Sequence, residues 1–249
     1  MENKRLAIVA AMDDEIRPIR SKIEMDLRIH VRPAQIIIGK YNGKPVILAR
    51  SGIGREAMRR AISYIIENHR PDFCLHVGYC GGADPRFAAG DLVIADRVVD
   101  ESGSEKIDLE PRYVESAIKI CNEDGIRGKA GSVVTVALPV SESHDKAYTG
   151  TKFEAVGIDM ESYDLAAACA DHSLPFVIVR AVLDPLDLTL PLFGDAVTDS
   201  GDLDPVAMAG KLVKNPKQIL KMPRLQYCAM QARQSIAAFI DSWQRRDVW

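Results

Sequence analysis

The sequence predicts an α/β fold of three layers, with helices on both sides of a mixed central sheet, and three observations point to it. Short apolar runs rich in Val and Ile recur along the chain (RLAIVAA, AQIIIGK, KPVILAR, FCLHVG, DLVIADRVV, KAGSVVTVA, PFVIVRAV), and several lack the polar/apolar alternation of a half-wetted strand. Strands buried on both faces need a helix layer above and below, and helical patterns do stand between these runs. Asn42-Gly43 separates two of the runs, a tight-hairpin signature that brings antiparallel pairing into the sheet.

The elements have local reasons in chain order. The run at residues 6–12 is short and meets Asp13, Asp14 and Glu15 at once, so it reads as a first strand rather than a leader peptide. REAMRRAISYIIENH places Ala57, Ile62, Ile65 and Ile66 near one helical face, with Arg55, Arg59 and Glu67 elsewhere. PRYVESAIKICNEDG opens on a proline suited to a first helical turn and stops at Gly125. ESYDLAAACADH is a third helix. Beyond Asp187 the pattern loosens through LTLPLFGDAVTDSGDLDP into a long loop or lid beside a site. Residues 205–243 then read as two or three helices broken by Pro216 and Pro223. Residues 1–249 are expected to form a single domain, with 188–249 as that loop and the proline-broken helices.

Composition excludes several function classes. With 249 residues, 47% hydrophobic, 27% charged and a formal net charge of -3, the chain is an ordinary globular one with no electrostatic case for nucleic acid. Five widely spaced cysteines without a C-x-x-C pair read as small buried residues of a reducing compartment. No apolar stretch approaches the about 20 residues needed to span a bilayer, so a cytoplasmic location is expected. Lys211, Lys214, Lys217, Lys221 and Arg224 lie among Leu212, Val213, Ile219, Leu220 and Met222. Such a basic amphipathic segment can rest peripherally on an inner membrane surface, although a solvated helix face is its more ordinary use. No metal or other cofactor is implied, because no His/Cys/Asp cluster has ligand spacing.

Ligand sites of α/β proteins gather where strands end. AAMDDE, SGIG, VGYCGG and RAVLDP all sit at such ends, and GIDMES opens a helix. Singly they are ordinary: a glycine cluster can be a tight turn, and acidic residues suit a helix N-terminus. VGYCGG fits neither the dinucleotide nor the Walker pattern. Cys80 has no histidine at a recognisable spacing, and His76 reads as a core histidine.

In this order the five segments resemble the nucleoside phosphorylase and nucleosidase superfamily over about residues 6–187, within it the methylthioadenosine and S-adenosylhomocysteine nucleosidases. DPLDLTLP and the basic, proline-broken tail further resemble the hopanoid-associated phosphorylases, also described as adenosylhopane nucleosidases. The resemblance implies a nucleoside phosphorylase-like fold, a homo-oligomer, and release of adenine from a 5′-modified adenosine, with adenosylhopane the favoured substrate. It also implies the roles. Asp184 would protonate N7 of the leaving base, which requires a raised pKa. Glu15 would activate water. Glu161 would accept ribose hydroxyls with Met160 packed under the sugar, and Arg180 would stand beside Glu161 as its sugar-side partner. Met12 and Ile53 would flank the substrate, and Leu138 and Val140 would line the base. Tyr79 occupies the position of a family serine that serves the sugar or phosphate region, and Leu183 replaces a serine before Asp184. His76 stands where purine phosphorylases have a phosphate-binding arginine. Tyr79 and His76, with Glu15, favour water over phosphate, while Leu183 argues against general nucleosidase activity and suits a hydrophobic 5′-substituent. The rival functions are a general methylthioadenosine/S-adenosylhomocysteine nucleosidase, a phosphate-dependent purine nucleoside phosphorylase, and a non-catalytic nucleoside-binding protein.

Overall fold

The computed structural model describes residues 4–189, 222–246 and 248. Ten strands join one sheet: β1 Leu6–Ala10, β2 Glu24–Val31, β3 Ala34–Tyr41, β4 Lys44–Arg50, β5 Phe73–Gly82, β6 Leu92–Asp100, β7 Lys106–Asp108, β8 Gly128–Thr135, β9 Gly157–Asp159 and β10 Phe176–Asp184. The described helices are α1 Asp13–Arg20, α2 Arg55–His69, α3 Pro111–Glu123, α4 Ser143–Phe153, α5 Ser162–Asp171 and α6 Met222–Arg246. The predicted mixed sheet is present.

Four strands run parallel as neighbours, β4 beside β1, β1 beside β5, and β5 beside β10. Their C-terminal ends therefore share one edge, which is where AAMDDE, SGIG, VGYCGG and RAVLDP fall. β10 also pairs antiparallel with β6, β6 parallel with β8, β8 with β9, and β9 antiparallel with β5. That ring closes half of the sheet into a small barrel, a closure the sequence pattern did not reveal. On the open side β4, β3 and β2 form an antiparallel meander. Asn42 (φ 51°) and Gly43 (φ 75°) make the predicted β3–β4 turn, both in the left-handed region that such a two-residue hairpin requires.

α1, α3 and α6 pack against one face of the sheet, while α2 and α5 pack on each other across the opposite face. α6 is one continuous helix. Pro223 sits in its first turn, where a missing N–H costs no intrahelical bond, so it opens the helix rather than breaking it. Pro216, the four lysines between 211 and 221, and most of the predicted loop lie outside the described residues. Cys228, Ala232, Ile236, Phe239, Ile240 and Trp243 form a buried stripe along α6. Trp243 meets Phe73 and Phe239 with ring centroids 5.7 Å apart in each case. Each fully buried side chain of this size contributes about 1.5–3 kcal/mol, enough to anchor α6 to the core. Among the described residues no helix is long and apolar enough to cross a membrane. All five cysteines are free and buried.

Candidate active site

Glu15 occupies the first turn of α1 at 2% exposure. Its Oε2 accepts from the Met12 main-chain N–H at 2.7 Å, the reach-back of an N3 glutamate to its N-cap, and its Oε1 accepts from the Tyr79 N–H at 2.8 Å. Glu15 therefore both caps α1 and ties that helix to β5. Burial pushes its carboxyl pKa upward, opposed by the Met12 amide, the Arg180 charge and the Tyr79 amide.

Arg180 lies opposite Gly78 in the β10–β5 register. Its Nη2 pairs with Asp159 Oδ2 at 2.7 Å and with the His76 ring nitrogen Nε2 at 2.9 Å, while Nε donates to Ser162 Oγ at 3.0 Å. Burial and the guanidinium hold His76 well below the usual imidazole range, so the ring is neutral. The ion-pair partner of Arg180 is thus Asp159, and not Glu161 as the motif suggested. Asp159 is itself held by the Thr135 hydroxyl at 2.7 Å and by Ser162. One guanidinium nitrogen, Nη1, is buried without a hydrogen-bond partner. It lies over Gly78: a Cβ there would come within 2.0 Å of Nη1 and 3.0 Å of Glu15 Oε1.

VGYCGG is consequently not a turn. β5 runs straight through it, and Gly78 is small because Arg180 and Glu15 fill the space a side chain would take. Gly81 serves Asp184 in the same way, since a Cβ at 81 would lie 3.3 Å from Asp184 Oδ2. Between Val182 and Asp184 the register shifts by one, leaving Leu183 in a bulge. The bulge removes Asp184 from the alternation that Arg180 and Val182 follow and turns it toward Gly81. Asp184 is 3% exposed, and burial pushes its carboxyl up to about 6 against the opposing pull of Lys146.

Lys146 of α4 is fully buried, with Nζ 3.0 Å from Asp184 Oδ2, 3.1 Å from the Asp184 carbonyl, and 2.8 Å from the carbonyls of Pro185 and Leu188. Sequence reasoning missed this residue. SESHDKAYTGTKF is polar with little periodicity, and a lysine in such a run reads as solvated.

Glu161 precedes α5 at 5% exposure, with Oε1 accepting from the Gly54 N–H at 2.7 Å. Gly54 caps α2 at φ 94°, a conformation natural only to glycine. Arg55 braces this junction through Asp164 of α5 and Asp100 of β6, each at 2.7 Å. Burial, then the Asp159 charge, push the Glu161 carboxyl upward, with Arg180 opposing.

The predicted residues divide clearly. Glu15, Tyr79, Glu161, Arg180 and Asp184 are buried together near the shared strand edge. Met12 caps α1, while Ile53 and Met160, half-buried, adjoin Gly54 and Glu161 in the chain. Tyr79 contributes its main-chain N–H to Glu15, and its phenol turns to Asp14 Oδ2 at 2.8 Å, where Arg233 of α6 also binds. Leu138 is 77% exposed, and with half-buried Val140 it borders a surface cavity of about 500 Å³ that Glu15, Glu161 and Asp184 do not line. Burial pushes the Cys80 thiol well up, which removes it as a nucleophile.

The chain matches the model of the phosphorylase superfamily over residues 5–221. It is 29% identical over 197 residues to a 5′-methylthioadenosine/S-adenosylhomocysteine nucleosidase of Geobacillus sp. (strain WCH70), covering 72% of this chain and 85% of the relative. The nucleosidase of that type from Campylobacter jejuni superposes with a TM-score of 0.75 at 20% identity, over 97% of this chain and 99% of its own. The Neisseria meningitidis enzyme in complex with methylthio-immucillin-A superposes at 0.72 and 22% identity, over 96% and 99%. The futalosine hydrolase of Helicobacter pylori does so at 0.72 and 18%, over 96% and 98%. The fold is that of nucleosidases of this kind, and the chain belongs to the phosphorylase superfamily.

Proposed function

We propose that the protein is a purine nucleosidase, an N-glycosyl hydrolase that releases adenine from a 5′-modified adenosine. One observation carries the proposal: two buried carboxyls with different surroundings stand along one strand. Glu15 is fixed as an acceptor by two main-chain amides beside the unpaired Nη1 of Arg180, across Gly78; Asp184 is sheltered opposite Gly81.

In the reaction the bond between C1′ and N9 breaks as positive charge develops on the ribose. Asp184 gives its proton to N7 of the departing adenine. A water held between Glu15 and Arg180 Nη1 attacks C1′, and its proton passes to Glu15. One water is consumed; adenine and the 5′-substituted ribose leave. Glu161 accepts the ribose hydroxyls, Met160 packs under the sugar, and Met12 and Ile53 flank it. The names of the Geobacillus relative and of the Helicobacter hydrolase are in keeping with this chemistry.

Charge argues for water rather than phosphate. Glu15 and Asp159 stand beside Arg180, which is already paired with Asp159. A phosphate dianion at that guanidinium would meet carboxyl groups already in place.

For the 5′ substituent we favour a hopane chain. The resemblance of the DPLDLTLP segment to the hopanoid-associated enzymes supports this choice. A cytoplasmic homo-oligomer completes the proposal. Adenine release from adenosylhopane, methylthioadenosine and S-adenosylhomocysteine, each with and without phosphate, tests it. The expected result is no phosphate requirement and the highest kcat/KM for adenosylhopane. A strict phosphate requirement would overturn hydrolysis, and a higher kcat/KM for methylthioadenosine would overturn the hopane preference.

A further inference from the structure

A lysine with no solvent exposure is expensive unless its ammonium is paired and its protons all find acceptors. Lys146 meets both conditions, through the Asp184 carboxyl and three carbonyls of residues 184–188. Its placement is built into α4. Gly150, one turn later, lets the helix approach the end of β5 so closely that a Cβ there would lie 2.7 Å from the Ala83 Cβ. Among the described residues, the Cys80 thiol of β5 and the Cys228 thiol of α6 also feel the Asp184 charge, both pushed up by burial and so neutral. Among the described residues Lys146 is the cation that acts on the Asp184 carboxyl.

We propose that Lys146 is a positioning residue for the proton donor. Its ammonium pins Oδ2 of Asp184 and, through the carbonyls of Asp184, Pro185 and Leu188, the turn that follows, so that the other carboxyl oxygen delivers the proton to the leaving base. The carboxyl and the mouth of the site are thereby fixed by one side chain from a helix that supplies no other group to the reaction. The role in proton delivery rests on the assignment of Asp184 as the acid; the hold on the carboxyl does not.

The test uses Lys146→Met, with Lys146→Gln as a second variant that keeps amide donors for the carbonyls but carries no charge. The Asp184 carboxyl is titrated by carbon-13 NMR without substrate, its signal assigned by loss in Asp184→Asn. Without Lys146 the midpoint should move up by about one to three units. The alkaline limb of kcat should move with it, and the plateau should fall on the order of 10²-fold, the scale of a misplaced catalytic group. In an Asp184→Asn background, removing Lys146 should cost no further kcat. An unmoved midpoint, or losses that multiply in the double variant, would overturn the proposal. If wild-type protein released no adenine from any adenosine tested, the acid assignment would fall while the titration still decided the contact. Should neither variant fold, the wild-type Lys146 Nζ resonance must track the Asp184 titration; independence of the two would overturn the contact.

Discussion

Gly78 and Arg180 face one another across the parallel β5–β10 pair, and the missing side chain at 78 makes room for the guanidinium. A Cβ 2.0 Å from Nη1 cannot be accommodated in place. Arg180 is fully buried and committed to Asp159, His76 and Ser162, so it has little freedom to withdraw. Gly78→Ala should therefore cost about 1–3 kcal/mol by overpacking. It should also lower kcat by displacing Nη1 from its place beside Glu15. Urea denaturation and steady-state adenine release measure the two effects; an alanine variant with wild-type stability and rate would show that Nη1 has no fixed role.

The pH dependence follows from two buried carboxyls. Asp184 must be protonated to act as the acid, and with its pKa at about 6 the competent fraction falls as pH rises through that value. Glu15 must be ionised to accept a proton, and its pKa is raised by burial, so activity should also fall toward acid. A bell in kcat/KM, with the limb set by Asp184 near pH 6, is the expected profile. Glu15→Gln should lower kcat by about 10²–10⁴-fold, and Asp184→Asn should abolish the alkaline limb. Stability has the matching sign. The folded state binds the Asp184 proton more tightly than the ordinary value of 3.8 allows. That contribution is complete below about pH 4 and is lost as pH rises through about 6. Asp184→Asn should flatten this part of the stability curve in chemical denaturation at a series of pH values.

What the sequence made legible had local causes. α2 and α3 were readable because their caps and apolar faces lie within a few residues, and the β3–β4 hairpin because Asn-Gly all but dictates its turn. β2 was not, since most of its residues face solvent, Met25 and Leu27 each at 51% exposure, and no buried face stands out. Glu15, Glu161, Asp184 and Arg180 were singled out through ordered motifs at strand ends and at one helix start. Their partners were not: Asp159 and Lys146 act through register and helix packing, and the bulge at Leu183 exists only once β10 meets β5. For the glycine cluster a tight turn was one open reading; the cause in the structure was not legible, because the need for a missing Cβ at 78 is set by Arg180, some hundred residues away.

Asp159 offers a direct check on which carboxylate neutralises the buried arginine. Asp159→Ala strips the fully buried Arg180 of its ion-pair partner, a loss expected to cost about 3–5 kcal/mol. Glu161 has no such bond, and burial already favours its protonated form. Glu161→Gln should cost much less stability while still weakening substrate binding. Comparing the two variants by urea unfolding and by KM would separate structural from sugar-side roles; equal destabilisation would contradict the assigned ion pair.

Tyr79 separates main-chain from side-chain function at one position. Its N–H holds Glu15, and that bond persists whatever the side chain. Its phenol holds Asp14, which also binds Arg233, so the hydroxyl helps fasten α6 to α1. Tyr79→Phe should therefore cost about 1 kcal/mol, the modest figure following from a partly exposed Asp14 that keeps Arg233. Amide hydrogen exchange should rise around Arg233, and the loss in kcat should be far smaller than for Glu15→Gln. A loss as large as that of Glu15→Gln would mean that the phenol itself meets the substrate, and would reassign this position from scaffold to chemistry.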